Sequence, residues 1–326
     1  MSKTALILGA TGGVGGETAR AMLRHGWRVR GLTRTPRAGN GIEWITGDAM
    51  DRDAVLAAAG GADVIVHAVN PPGYRNWDRL VLPMLDNSIA AALATGARIA
   101  LPGTIYNYDP RSVALAKPGT PQHPNTRKGA IRAEMERRLA ETPGLKALVL
   151  RAGDFFGPRT TGNSWLSGGM VTPGKPVRSI LYPGRPEIGH AWAYLPDVGE
   201  AFARLLDREP GLPAFACHHF AGYWLDGTAF VAAIASAAGN PDAGTRKLPW
   251  RLLPLIAPFN PTMREMIEME SFWRHPLRLD NASLEAEIGA EPHTPLAQAL
   301  RTTLGAMGCL RHHHISQNLD FSGFPS

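Results

Sequence analysis

Three glycines near the start of the chain have the type and spacing that phosphate binding requires. An apolar segment over residues 5–8 ends in Gly9, and Gly12 and Gly15 follow at three-residue intervals. Glycines let the backbone approach a phosphate closely, and the first N–H groups of a following helix attract its negative charge. We therefore predict a strand, a phosphate-binding turn and a helix over residues 17–24. An ordinary tight turn is the alternative, because a glycine-rich turn alone is a weak signal.

Segments typical of strands and helices alternate through the first half of the chain. The predicted strands cover residues 5–8, 27–32, 42–45, 63–68, 97–101 and 146–150, and the predicted helices cover residues 17–24, 51–59, 77–95 and 126–140. Such alternation indicates a parallel sheet with helices on both faces and a ligand beyond the carboxyl ends of the strands. The predicted fold class is therefore α/β, a Rossmann-type doubly wound parallel sheet.

The composition changes after residue 155. Prolines and glycines crowd residues 157–189, and aromatic residues follow. We predict a dinucleotide-binding domain over residues 1–155. A smaller, interleaved substrate-binding region should cover residues 156–310, with some segments returning to the first sheet and helices over 227–238, 263–273 and 295–304. Residues 311–326 are predicted to be a polar tail, for which a metal site or a tag remnant at residues 312–314 is the alternative.

Composition argues against several classes of protein. Of the 326 residues, 44% are hydrophobic and 19% are charged, as in globular proteins. The net charge of +6 is scattered, so we expect no nucleic-acid partner. We expect no signal peptide, because the sequence begins directly with a predicted strand, and no membrane span, because no apolar run reaches about 18 residues. Cys217 and Cys309 give no disulfide framework and suit the cytoplasm, and the absence of H-E-x-x-H and paired C-x-x-C motifs predicts no metal.

The residue after the second predicted strand indicates which dinucleotide binds. An acidic residue there would bind both ribose hydroxyls of NAD, whereas Arg34 offers a bidentate guanidinium to a 2′-phosphate. Arg37 is a candidate for a second contact. The sequence therefore favours NADP over NAD as cofactor. The alternative is that Arg34 is a solvated loop residue.

Over roughly residues 1–200, the chain resembles the extended short-chain dehydrogenases, the group of nucleotide-sugar epimerases and dehydratases. The resemblance rests on the G-x-x-G-x-x-G turn, on Lys128, on R-A-G-D-F-F-G over residues 151–157 and on Y-L-P-D-V over residues 194–198. It implies that Lys128 binds the nicotinamide ribose and that Asp48 lies against the adenine, although Asp48 could instead cap a helix. The implied cofactor-binding residues are Gly9, Thr11, Gly12, Gly13, Val14, Gly15, Arg34, Asp48, Ala49, Ala68, Val69, Asn70, Pro102 and Lys128.

Two hydroxyl groups that this family uses are replaced by proline. Family members carry a serine or threonine where this chain has Pro102, four residues before Tyr106, and a tyrosine where it has Pro124, four residues before Lys128. In the family, the tyrosine transfers the proton at the substrate oxygen, the serine or threonine positions that oxygen, and the lysine lowers the tyrosine pKa. Proline can perform neither hydroxyl role, so another group would have to transfer the proton.

The candidates for the missing proton transfer are Thr104, Tyr106 and Asp154, with Lys128 as a nearby positive charge. Thr104 and Tyr106, together with Tyr108, follow the fifth predicted strand, and Asp154 follows the sixth, so the resemblance implies that they share one crevice. Each has a structural alternative. Tyr106 could support the cofactor site, Asp154 could anchor the following turn, and Thr104 could cap the strand end. His190 could also reach this crevice.

The sequence therefore predicts an NADP-dependent oxidoreductase of the atypical extended type. Aromatic residues such as Trp165 and Trp192 favour a small, hydrophobic carbonyl or enone compound as substrate, although aromatic residues can equally form a core. A nucleotide-sugar epimerase or dehydratase is one alternative. A noncatalytic NADP-binding regulator is another. The expected partner is a small-molecule substrate, and a homodimer is left open.

Overall fold

A computed structural model describes residues 2–71, 76–159, 164–258 and 261–310 of the chain. The strands of these ranges are β1 (Thr4–Leu8), β2 (Arg28–Thr33), β3 (Ile42–Thr46), β4 (Val64–His67), β5 (Arg98–Thr104), β6 (Leu115–Ala116), β7 (Lys146–Ala152), β8 (Asp154–Phe156), β9 (Ser179–Tyr182), β10 (His190–Tyr194), β11 (Phe215–Phe220), β12 (Tyr223–Leu225), β13 (Gly244–Lys247) and β14 (Arg278–Leu279). The α-helices are α1 (Gly13–Arg24), α2 (Arg52–Ala59), α3 (Trp77–Thr95), α4 (Arg127–Glu141), α5 (Leu195–Asp207), α6 (Gly227–Ala237), α7 (Leu253–Ile256), α8 (Pro261–Ile267), α9 (Glu270–Arg274), α10 (Ala282–Ile288) and α11 (Leu296–Ala306).

Seven of the described strands form a parallel sheet in the order β11-β7-β5-β4-β1-β2-β3. Leu8 at the end of β1 pairs with Leu32 of β2 on one side and with His67 of β4 on the other. The strand order reverses at β1, and ligands of such sheets bind at the carboxyl ends of the strands beside this point. Three smaller sheets pair β12-β10-β8, β13-β9 and β14-β6.

The two faces of the sheet bury separate apolar layers. Side chains alternate along β1, so that Ala5 and Ile7 pack on one face with residues of α1 and α5, whereas Leu6 and Leu8 pack on the other face with residues of α2, α3 and α4. This arrangement confirms the predicted doubly wound α/β fold. The strand β11 and the helix α5 also join these layers, although they lie beyond residue 155. The predicted division of the chain into domains remains a prediction.

Helix α1 begins at Gly13, four residues before the predicted start. The first turn of the helix contains glycines because it packs closely on the preceding turn. A Cβ at Gly15 would collide with the carbonyl oxygen of Gly9. Strand β5 is also longer than predicted and runs through Pro102. Its pairing with β4 ends at Ala100, so Pro102 has a strand neighbour only in β7, where it pairs with Leu150.

Two predictions for the C-terminal part need correction. The predicted helix over residues 263–273 is two helices, α8 and α9, because Met269 N donates a tight hydrogen bond to Met266 O between them. The seventh strand of the main sheet, β11, was not predicted, since its sequence F-A-C-H-H-F mixes two histidines into an apolar run. The predicted tail over residues 311–326 lies outside the described residues.

Candidate functional site

The glycine turn has the geometry of a phosphate-binding loop. Gly9 has a φ of +91°, and a Cβ there would lie 2.5 Å from the carbonyl oxygen of Ala68, so β1 and β4 approach too closely for any other residue. Gly12 N donates to Gly9 O at 2.9 Å and closes the turn. Gly12 is also the N-cap of α1, and neither a side-chain cap nor an acidic residue occupies the first turn. These features fit a dinucleotide pyrophosphate, which would bind the N–H groups of this turn and of Gly13 and Val14.

The segment that follows β8 lies across this turn. A Cβ at Gly13 would lie 3.3 Å from the carbonyl oxygen of Arg159. The Arg159 Nε lies 3.7 Å from Oε1 of Glu17, a buried carboxyl whose pKa is raised by burial and lowered in part by Arg20 and Arg159. Arg159 thus places a positive charge beside the phosphate-binding turn. No sequence motif indicated this role for Arg159, although it stands two residues after the R-A-G-D-F-F-G segment.

The residues predicted for the adenosine end of the cofactor lie on the surface after β2 and β3. Arg34 is exposed, and the guanidinium of Arg37 lies 5.7 Å from the ring of Trp44. Asp48 Oδ1 accepts a hydrogen bond from Met50 N at 2.9 Å. The alternative that Asp48 caps a helix is wrong, because Asp51 is the N-cap of α2.

Other predicted cofactor residues follow β1, β3 and β4. Ala68, Val69 and Asn70 follow β4, are half-buried, and lie beside the glycine turn. Thr11 is exposed, and Ala49 is buried with its carbonyl oxygen accepting from Asn87 Nδ2. These positions can line a dinucleotide along the edge of the sheet.

Tyr106, Asp154 and His190 form a continuous hydrogen-bond chain. The Tyr106 hydroxyl donates to Asp154 Oδ1 at 2.8 Å, and His190 Nε2 donates to Asp154 Oδ2 at 2.7 Å. Tyr106 lies in the 3-10 turn after β5, Asp154 begins β8 directly after β7, and His190 begins β10, which pairs with β8. The structure therefore brings together two predicted residues and His190, which the sequence suggested only as a residue within reach.

Aromatic rings surround the Tyr106–Asp154–His190 hydrogen-bond chain. Trp273 stacks on His190 with ring centroids 4.0 Å apart and an interplanar angle of 4°, and Phe272 contacts the Tyr106 ring edge-on at 5.3 Å. Asp154 and His190 are 7% and 3% exposed. Hydrogen bonds in such a low-dielectric setting are stronger and hold fixed orientations. Proton exchange along the hydrogen-bond chain is chemically feasible, because the Tyr106 hydroxyl and the Asp154 carboxylate lie at hydrogen-bonding distance.

Part of the predicted aromatic surface is core instead. Trp192, Tyr194 and Tyr223 are buried with Phe156 and Phe230 in one apolar cluster, and the rings of Trp192 and Phe230 stack at 4.1 Å. The core alternative holds for these residues and also for the rings that contact the Tyr106–Asp154–His190 chain, because Trp273 is a buried member of the same cluster and Phe272 is buried in a neighbouring one. No sequence motif indicated a role for Trp273, because only the tertiary fold brings α9 to this point.

Lys128 contacts α8. It lies in the first turn of α4, after the N-cap Thr126, and is 4% exposed. Its Nζ donates to the carbonyl oxygen of Glu265 at 2.8 Å and lies 2.9 Å from Glu265 Oε2. The predicted ribose contact of Lys128 would therefore be made beside this ion pair.

Pro102, Pro124 and Thr104 lie near Tyr106 and the first turn of α4. Pro102 O accepts a hydrogen bond from Arg132 Nη1 at 3.3 Å, and a Cβ at Gly129 would lie 2.7 Å from the Pro124 Cβ. Thr104 Oγ1 accepts from Tyr106 N at 3.2 Å. Thr104 thus caps the 3-10 turn, the structural role that the sequence left open, and by this bond it positions Tyr106.

Tyr108 belongs to a buried polar network and not to the crevice. It is fully buried, and its hydroxyl contacts Arg151 and His219. Burial raises the tyrosine pKa and lowers the pKa of His219 to about 3. Arg151 pairs in turn with Glu136 at 2.5 Å. This network fixes β7, α4 and β11 to one another, so Tyr108 is no candidate for proton transfer.

His67 is a core histidine. Its Nδ1 lies 2.8 Å from Ser88 Oγ, and it is 2% exposed. Burial lowers its pKa to about 3, so the ring is neutral at physiological pH. Among the described residues, no group of three or more histidine, cysteine or acidic side chains is arranged to hold a metal ion. No helix in the described ranges is long and apolar enough to cross a membrane.

The parallel sheet, with its glycine turn at the point where the strand order reverses, defines a Rossmann-type dinucleotide-binding protein. The chain belongs to the NAD dependent epimerase/dehydratase family, whose profile matches residues 5–214. A comparison with curated protein sequences gave no match.

Solved structures of low sequence identity share this fold. MoeE5 in complex with UDP-glucuronic acid and NAD is 15% identical, with a TM-score of 0.74 over 93% of this chain and 98% of that chain. A double mutant of DesIV, a dTDP-glucose 4,6-dehydratase from Streptomyces venezuelae with NAD and DAU bound, is 19% identical, with a TM-score of 0.69 over 93% and 96%. The Bordetella bronchiseptica enzyme WbmH in complex with NAD+ is 18% identical, with a TM-score of 0.69 over 94% and 98%.

Proposed function

We propose that this protein is an oxidoreductase that uses NADP and acts on a small, hydrophobic carbonyl or enone compound. The observation that carries the proposal is the Tyr106–Asp154–His190 chain at the carboxyl edge of the sheet. It supplies a proton-exchanging hydroxyl where the family's serine or threonine and tyrosine are replaced by Pro102 and Pro124. When bound, the nicotinamide would donate or accept the hydride.

Residues of the protein would hold the cofactor at three points. The glycine turn and Arg159 would bind the pyrophosphate. The exposed guanidinium of Arg34 would bind the 2′-phosphate, and an arginine suits this group because it binds phosphate oxygens in a bidentate manner. Lys128 would contact the nicotinamide ribose beside its ion pair with Glu265. NAD is the cofactor of the solved relatives named above, so the preference for NADP rests on Arg34 alone.

Tyr106 would exchange the proton with the substrate oxygen. Its hydroxyl proton points to Asp154, so the phenol oxygen can accept a proton from a substrate alcohol while its own proton passes to the carboxylate. In the reducing direction, Tyr106 gives its hydroxyl proton to the nascent alkoxide. A proton from the Asp154–His190 pair then passes through Asp154 Oδ1 to the phenol oxygen and restores the hydroxyl. His190 would orient the carboxylate through its second oxygen. Each step moves one proton along existing hydrogen bonds.

The side chains packed around the Tyr106–Asp154–His190 chain favour an apolar substrate. Phe272, Trp273 and the half-buried Trp165 contribute ring surface around the chain, and the rings of Trp165 and Trp273 pack at 5.0 Å. A pocket with aromatic walls and few polar groups binds an apolar ligand and uses the polar groups to orient it. This supports an aromatic or unsaturated carbonyl compound over a free sugar.

The test is the oxidation of NADPH by aromatic aldehydes and enones, followed by absorbance. Tyr106→Phe should lower the rate about a hundredfold to ten-thousandfold, because it removes one proton-transfer group. Tyr182→Phe is the matched control, since Tyr182 is a buried tyrosine whose ring contacts Trp273 but which lies outside the hydrogen-bond chain to Asp154. NADPH affinity should stay unchanged in both variants. Equal loss of rate in the two variants would contradict the role of Tyr106.

Two other functions have specific support. The solved relatives include enzymes bound to nucleotide sugars, which favours a nucleotide-sugar epimerase or dehydratase. Conversion of UDP- or dTDP-glucose without added NADPH would establish that function. The buried Lys128–Glu265 pair favours a noncatalytic NADP-binding regulator, in which Lys128 fastens α8 and takes no part in catalysis. Tight NADPH binding without turnover on any substrate would establish the regulator.

A further inference from the structure

Two leucines protrude from the surface near α7. Leu252 is 54% exposed and Leu255 is 72% exposed, and they are the most exposed large hydrophobic residues in the described part of the chain. They stand three residues apart, Leu252 at the end of the 3-10 turn Trp250–Leu252 and Leu255 in α7. Residues three apart on a helical segment lie on the same side of it, so the two leucines form one small apolar protrusion.

This part of the surface is fixed to the body of the protein. Trp250 Nε1 donates to Pro183 O at 2.6 Å, Leu248 N donates to Tyr182 O at 3.2 Å, and Leu253 is 4% exposed. The two leucines therefore protrude from an anchored segment. An anchored protrusion loses little conformational entropy when it is buried.

The leucines belong to a part of the surface that is rich in basic residues. We call residues 172–186 and 244–258 the basic ribbon, because they pair through β9 and β13 and contain no acidic residue. The six basic side chains of the ribbon are Lys175, Arg178, Arg185, Arg246, Lys247 and Arg251. All six are exposed, and none forms an ion pair with a residue that the structure describes. Glu187 and Asp242 lie just outside it.

We infer that the basic ribbon and its two leucines bind the surface of an anionic phospholipid bilayer. The leucines would insert into the boundary between headgroups and acyl chains, and the basic side chains would contact lipid phosphates. Protruding apolar residues on a positively charged ribbon match both layers of such a surface. Nucleic acid has the charge but offers no apolar layer for Leu252 and Leu255, so it fits less well.

The inference goes beyond the proposed function and does not depend on it. Trp250 of the ribbon packs on Trp165 with ring centroids 6.4 Å apart, and Trp165 packs on Trp273, so a row of packed rings connects the ribbon to the proposed site. The Tyr106–Asp154–His190 chain lies directly behind Trp273.

The test is sedimentation of the full-length protein with vesicles of phosphatidylcholine alone or mixed with phosphatidylglycerol. We expect binding to the anionic vesicles that falls as salt is added. Each basic residue near an anionic surface adds roughly fivefold to binding, so Arg246→Gln/Lys247→Gln should lower the partition coefficient at least tenfold. Leu252→Gln/Leu255→Gln should also lower it at least tenfold. The matched control is Leu56→Gln/Leu93→Gln, which changes two leucines that are 40% and 47% exposed on α2 and α3.

The outcomes distinguish a lipid bilayer from a second copy of the protein as the binding partner of this surface. Loss of vesicle binding in the ribbon variants alone, with unchanged thermal melting, supports the inference. Absence of binding to anionic vesicles overturns it, as does equal loss in the control. If light scattering shows a dimer that Leu252→Gln/Leu255→Gln dissociates, a second copy of the chain covers the leucines and the inference is wrong. NADPH binding and turnover report separately on the proposed function.

Discussion

Removal of the Arg34 side chain should abolish the preference for NADPH over NADH. Arg34 is exposed at the end of β2, and its side chain makes no hydrogen bond with any residue that the structure describes, so Arg34→Ala should leave the fold intact. A charge-assisted hydrogen bond is worth about 1.5–3 kcal/mol. Solvent screening at an exposed loop favours the lower end of that range, which corresponds to about a tenfold loss in NADPH affinity.

The assay is a fluorescence titration of the wild type and Arg34→Ala with NADPH and with NADH. The NADPH dissociation constant should rise about tenfold in the variant, and the NADH constant should stay the same. Added salt should lower the wild-type preference, because it screens the guanidinium and the phosphate. Arg301→Ala is the matched control, since Arg301 is also exposed but lies on α11. Equal wild-type affinities, or a preference that survives in Arg34→Ala, would refute the assignment.

Three further predictions follow from the fold and the site. Gly12→Val should abolish cofactor binding, because its side chain would occupy the phosphate position. The variant should still melt normally, because the new Cβ would meet only the Gly9 carbonyl oxygen, at 3.3 Å. NADPH titration measures the first effect and calorimetry the second. Pro124→Tyr should not raise turnover in the NADPH oxidation assay, because the proposed donor is another residue. Burial opposes protonation of His25, but hydrogen bonds to Asp207 and Glu200 outweigh it and raise the His25 pKa. That stabilisation is complete below about pH 6.5 and is lost as pH rises through the folded pKa, so the Tm deficit of His25→Gln should shrink as the pH is raised above about 6.5.

The fold was predictable because its signals are local. Each strand of the first half is a short apolar run, and each βα unit positions the next by the right-handed crossover rule. The strand β11 escaped prediction because His218 and His219 interrupt its apolar pattern, and only burial against Ser283 and Ala116 accommodates their ring nitrogens. The break between α8 and α9 also has no sequence signal, since neither glycine nor proline stands there.

The site was predictable only in part. Tyr106 and Asp154 follow neighbouring strands, so strand order places them at one edge of the sheet. The partners of these residues come from distant parts of the chain, as His190 lies 36 residues beyond Asp154 and Glu265 lies 137 residues beyond Lys128. No periodicity or motif connects such pairs. Thr104 shows a different limit, because its sequence position does not decide between capping a turn and contacting a substrate.

The most direct test of the central claim is the single-turnover rate of NADPH oxidation by an aromatic enone in the wild type and in Tyr106→Phe. The account predicts that Tyr106→Phe binds NADPH as tightly as the wild type and reacts about a hundredfold to ten-thousandfold more slowly. Tyr182→Phe should react at nearly the wild-type rate. A Tyr106→Phe variant that keeps the wild-type rate would contradict the account.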